Sequence, residues 1–255
     1  MNTASLPTRH SPYLQEPSRR HAIGRADATT RLLLLAGALS SLAYALADLI
    51  SGLSYQGYSF AVHTVSELSA VGAPSRALAI PLFLVFSVLV TAFGFGVWRT
   101  AGERRALRIA GALVVVYGIS CMTAGLTPMH TREVIAAGGA TVTDTLHIAA
   151  TIVEVVLIIL IIAFSASAFG WGFRVYSFAT VATMIVFGLM TSADASRLEA
   201  NLPTPYAGLY ERVNIYAFLL WFVVLAIALR RRVRADESSW HGANDPLNRI
   251  SEVSR

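Results

Sequence analysis

Residues 146–169 read LHIAATIVEVVLIILIIAFSASAF, a run broken by a single carboxylate, Glu154. Its length decides the fold. About 20 apolar residues cross a ~30 Å hydrocarbon core as a helix, whereas a barrel strand is about half as long and alternates in polarity. Five similar runs occur at roughly 31–50, 77–98, 109–127, 178–195 and 210–229. The sequence therefore predicts an all-α integral membrane bundle of six transmembrane helices.

Composition agrees. Of 255 residues, 55% are hydrophobic and 14% are charged, against the ~25% charged typical of a soluble domain. Mean hydropathy is +0.58. These values exclude ordinary soluble enzymes, disordered proteins and disulfide scaffolds. All 20 basic residues are arginine, and most flank apolar runs, so the +5 charge reads as a topology signal and not as nucleic-acid binding. The single Cys121 lies in an apolar run and reads as a packing residue.

Arginine also sets an expected orientation. Sixteen fall in the segment before the first run, the second and fourth connections and the C-terminal segment, against 4 in the intervening loops. The positive-inside rule then predicts cytoplasmic N- and C-termini. Residues 1–29 read as a disordered cytoplasmic tail, 30–233 as the transmembrane domain and 234–255 as a second disordered tail. Ala45-Leu46-Ala47 has the form of a signal-peptidase site, but the run before it is long enough to span, so an uncleaved first helix is expected.

The loops expected outside are the longer ones. The first is predicted to hold a short amphipathic helix between Gly57 and Gly72, with His63, Ser66 and Glu67 on one face. Around it converge His130, Asp144 and His147, then Glu154 two turns inside the fourth run, and Glu211-Arg212 opening the sixth. Ionisable residues within or beside a bilayer are costly, so this grouping marks the region where function has room. His147 and Glu154, seven apart, share a helix face. Glu67 or Glu211 is expected to pair with Arg212 or Arg76. Asp48 and Asp194 read as charges tolerated at helix ends, and Asp144 as a helix cap.

Three functions compete for these residues. The first is a non-catalytic membrane scaffold, sensor or assembly factor, marginally favoured. The second is an enzyme acting on a lipid-like substrate, with His63, Ser66, Glu67, His147, Glu154, Glu211 and Arg212 as candidate catalytic groups. In that case His63, His130, Asp144 and His147 are candidate ligands for a divalent metal such as zinc. No HExxH or GxSxG motif supports it. The third is a small proton- or cation-coupled transporter using Glu154. Expected partners are the bilayer and a lipid-like ligand at the outer leaflet.

Tyr58-Ser59-Phe60, His63-Thr64-Val65-Ser66-Glu67-Leu68, Gly72-Ala73-Pro74, Asp144-Thr145-Leu146-His147 and Gly208-Leu209-Tyr210-Glu211-Arg212 together resemble a bacterial membrane family catalogued as domain of unknown function 998. The resemblance covers roughly residues 32–232. It implies a six-helix integral membrane protein without an established activity, and singles out Ser66, Glu67, His147, Glu211 and Arg212.

Overall fold

A computed structural model describes residues 17–243. It holds seven α-helices among them: α1 (Pro17–Ser54), α2 (Arg76–Arg99), α3 (Arg105–Thr123), α4 (Arg132–Ala136), α5 (Val142–Ser167), α6 (Trp171–Glu199) and α7 (Ala207–Ala243). All except α4 contain a stretch long and apolar enough to span a membrane; for α1 and α7 these stretches are Ala28–Ser54 and Ala207–Ala235. No strand occurs among the described residues, only an isolated bridge between Val71 and His130. Residues 1–16 and 244–255, most of the two expected tails, lie outside the described residues. Where the chain is described, α1 already begins at Pro17 and α7 continues to Ala243.

The helices close into a ring. α1 packs on α2 and α7, α2 on α3, α3 on α5, and α6 on α7, while α5 meets α6 least. Glycine permits the tightest of these approaches. A Cβ at Gly111 of α3 would press on the Trp98 backbone of α2, so the two helices meet there main chain to main chain. The short 168–170 connection makes α5 and α6 a hairpin by sequence, yet the two splay apart beyond it. α5 turns to α3 and α6 to α7 instead.

The splay divides the bundle along its length. Toward the short connections 100–104 and 168–170 the interior is solid, filled by Leu34, Phe93, Ile161, Trp221, Phe222 and Leu225. The Trp221 Nε1–H there donates to Ser177 Oγ at 2.9 Å, satisfying the indole inside the core. Toward the long connections 55–75, 124–141 and 200–206 the interior is hollow.

The amphipathic helix expected between Gly57 and Gly72 is reduced to a single 3-10 turn, Ser66–Ser69. The reason lies in its carbonyls. Phe60 and His63 accept from the Arg212 guanidinium, Ala61 accepts from the Leu209 N–H, Val62 accepts from Arg132, and Thr64 accepts from the Tyr58 hydroxyl. A helix would need these acceptors for its own N–H groups, and tertiary donors have claimed them. The segment 55–75 is thus a strap, held across the hollow end by Arg132 of α4 and by Arg212 and the Leu209 N–H of α7.

Candidate functional site

Two arginines fasten the strap. Arg212, at the start of α7, grips Asp48 of α1 with both arms, Nε to Oδ2 at 3.0 Å and Nη2 to Oδ1 at 2.7 Å. Its Nη1 donates to the Phe60, His63 and Gly208 carbonyls at 2.6, 2.9 and 3.1 Å, and Nη2 also reaches the Tyr58 hydroxyl at 2.6 Å. The guanidinium lies 4.9 Å from the Phe60 ring centroid and 5.6 Å from that of Tyr58. Tyr216 donates its hydroxyl to the second lone pair of Asp48 Oδ2 at 3.0 Å. Every side of the guanidinium is occupied, so Arg212 serves as a structural node. Burial pushes the Tyr58 hydroxyl above its ordinary range, against the pull of Arg212. At neutral pH it stays protonated and donates to the Thr64 carbonyl.

The second fastening is Arg132 of α4 on Glu67 of the strap, Nε to Oε2 at 2.8 Å and Nη2 to Oε1 at 2.6 Å. The Glu67 hydrogen bond and charge hold the Arg132 proton more tightly than usual. Glu67 also accepts from the Thr64 backbone N–H and hydroxyl, both at 3.1 Å. The expected pairing of Glu67 or Glu211 with Arg212 or Arg76 is therefore corrected: Arg212 takes Asp48, and Glu67 takes Arg132. A third pair lies beside them. His130 offers its backbone N–H and Nδ1–H to Asp144 at 2.7 and 2.9 Å, and Asp144 in turn caps α5 from its third position by accepting the Thr141 N–H.

The histidines do not come together. His63 Nδ1 accepts from the Ser59 N–H at 2.9 Å and its ring stacks on Tyr58. His147 Nδ1 lies 3.0 Å from the Thr127 carbonyl, which can only accept, so in the neutral ring Nε2 is left unprotonated. Among the described residues no three of His, Cys, Asp and Glu converge in a metal-binding group: of the candidate set, His130 and Asp144 pair, while His63 and His147 make contacts of their own. Ser66 donates to Glu211 Oε1 at 2.9 Å and has no histidine partner. The Ser–His arrangement a nucleophile would use is not assembled.

What the structure does bring together is a cavity of about 590 Å³ beneath the strap. Ser66, Arg76, His147, Glu154, Glu211 and Asn214 place polar groups on its wall, and aliphatic and aromatic side chains supply most of the rest. Glu211 accepts from the Val65 N–H and from Ser66, while Arg76 donates to the Ser69 carbonyl. Glu154 faces Ser120 and Cys121 of α3. Ile152 and Val156 of α5 and Ile185 and Leu189 of α6 line the cavity and are also exposed, so the hollow reaches the bundle surface at the α5–α6 splay.

The sequence reading gives Asp48 only the role of a charge tolerated at a helix end, and it assigns Arg132 and Tyr58 no site role. Their signal is pairing logic: Asp48 lies inside the first span, where a carboxylate requires a partner, and Arg132 is one of the few arginines in the loops expected outside.

Six spanning helices, a strap across one end and a hollow half-bundle define a multi-pass membrane protein. Over residues 38–228 the chain matches the family described as Protein of unknown function (DUF998), and it belongs to that family. No curated protein and no solved structure matches it.

Proposed function

We propose that the protein is a non-catalytic membrane sensor or assembly factor whose cavity takes a lipid-like molecule directly from the bilayer. The observation that carries this reading is the cavity. Its size falls in the ~300–1,000 Å³ range of small-molecule sites, and its wall combines apolar surface with a few placed polar groups. Its polar end lies under the strap, and its apolar side reaches the surface between α5 and α6, where lipid chains would lie. Against catalysis stands the use already made of the candidate groups: Arg212, Glu67 and His130 are consumed in structural pairs, and Ser66 faces a carboxylate. We place both termini in the cytoplasm and the strap outside on the arginine asymmetry, and the membrane as a bacterial inner membrane on the family resemblance.

The test is lipid retention. Full-length protein purified in a mild detergent should carry stoichiometric lipid detectable by mass spectrometry. Thr151→Trp and Leu189→Trp, which fill the cavity, should lose it while remaining folded. Wild-type protein that retains none, or variants that retain as much, would refute the reading.

A transporter reading has one specific support. Glu154 and Glu211 line the same cavity, and neither forms an ion pair among the described residues. Proton flux into liposomes that depends on Glu154 would favour it over a sensor.

A further inference from the structure

The charges left over after the strap is fastened indicate what kind of headgroup the cavity takes. Asp48, Glu67 and Asp144 are buried carboxylates, and each has a basic side chain against it: Arg212 and Arg132 for the first two, the His130 ring for the third. Glu211 departs from this pattern. It lines the cavity, accepts from the Val65 N–H and the Ser66 hydroxyl, and forms no ion pair among the described residues. Arg76 is its counterpart, lining the same cavity, donating to the Ser69 carbonyl and likewise forming no ion pair among the described residues.

Among the described residues Glu211 and Arg76 form no ion pair with one another, and each is tied to the strap instead. Glu211 is bound at Ser66 and Arg76 at Ser69, the two ends of one 3-10 turn, whose rise over three residues is about 6 Å. An acidic and a basic side chain anchored at the two ends of one turn on a low-dielectric wall suit a ligand carrying the complementary pair in the reverse order. A guanidinium matches a phosphate through parallel N–H donors. A carboxylate already holding two donors has remaining lone pairs for an ammonium, provided that the ammonium still carries N–H groups. Below this turn the wall becomes apolar, with Ile80, Phe83 and Leu84 of α2 facing Ile152 and Val156 of α5.

We infer that the ligand is a lipid with a zwitterionic headgroup, a phosphate ester joined through a short link to a primary ammonium, with the phosphate on Arg76 and the ammonium on Glu211. This rests on the cavity reading above. A quaternary ammonium offers Glu211 no hydrogen bond, and an anionic headgroup without an amine leaves Glu211 unmatched beside a phosphate.

The experiment compares three dihexanoyl lipids on the full chain in detergent, by native mass spectrometry: phosphoethanolamine, its N-acetyl derivative and phosphoglycerol. Wild-type protein should bind the first about tenfold or more tightly than the other two, the size of a lost charge-assisted hydrogen bond. Glu211→Gln should bind all three alike, and Arg76→Gln should weaken all three. Equal binding of the three lipids by wild type, a preference that survives Glu211→Gln, or an Arg76→Gln variant that binds as wild type would overturn the inference. In each of those cases the cavity reading stands. Folded wild-type protein that binds none of the lipids would overturn both. The N-acetyl comparison on wild type carries the test even if Glu211→Gln fails to fold.

Discussion

Arg212 shows how one side chain can hold a fold at a membrane boundary. Only 8% exposed, against 2% for Asp48, it ties α1, α7 and the strap through one guanidinium. Removing one member of such a pair leaves the other charge buried and unmatched, which costs about 3–5 kcal/mol, whereas an exposed pair contributes about 0–1 kcal/mol. Arg212→Ala and Asp48→Asn should therefore each lower the thermal midpoint in detergent by a similar large amount. The double variant should cost less than the sum of the two. Strict additivity would show that the pair is not a unit. Arg212→Lys should rescue little, because an ammonium cannot present the planar fork that reaches Asp48 and the strap carbonyls together. The sequence marked Arg212 as important but assigned it the wrong partner. Asp48 lies 164 positions away, and nothing in local spacing links the two.

At the scale of elements, the strap is where sequence reading and structure part. His63, Ser66 and Glu67 have helical spacing, and a free segment with that pattern would favour a helix. Four consecutive carbonyls, from Phe60 to His63, are instead taken by donors from Arg212, Leu209 and Arg132, so tertiary contacts override the local preference. The three side chains then diverge, His63 to Ser59, Ser66 to Glu211 and Glu67 to Arg132. Gly208 makes the docking feasible, since a Cβ there would fall on the His63 carbonyl oxygen. Gly208→Ala should accordingly destabilise the protein by about 1–3 kcal/mol, the cost of overpacking, and raise protease sensitivity within 55–75. An unchanged cleavage pattern would contradict the docking. The spanning helices, by contrast, are legible in number and order, with ends within one residue for α2, whereas α6 begins at Trp171 and not near 178. The apolar runs at 77–98 and 146–169 correspond to α2 and α5, because length and continuity alone force a helix in lipid.

For the whole molecule, the sequence could indicate six spans but not which helices would touch. Only residues 168–170 join α5 to α6, yet the splay that opens the cavity depends on α5 preferring α3 and α6 preferring α7. Orientation follows from charge. With 16 of 20 arginines on one side, a reporter fused after Arg255 should behave as cytosolic and one inserted at Gly138 as external. The reverse pattern would invert the assignment, and reporters on the same side would break the six-span count.

Whether lipid enters the hollow half of the bundle can be read within a single helix. Met184 lines the cavity and is 3% exposed, whereas Met190, on the same helix, lies outside the lining and is 36% exposed. Replacing the five methionines with photo-methionine changes little in shape, and irradiation in native membranes followed by peptide mapping reports which positions touch lipid. We expect lipid adducts on Met184 as well as Met190, with the Met184 adduct lost in Leu189→Trp. Adducts on Met190 with none on Met184 would mean that lipid remains outside the ring, and would contradict the account.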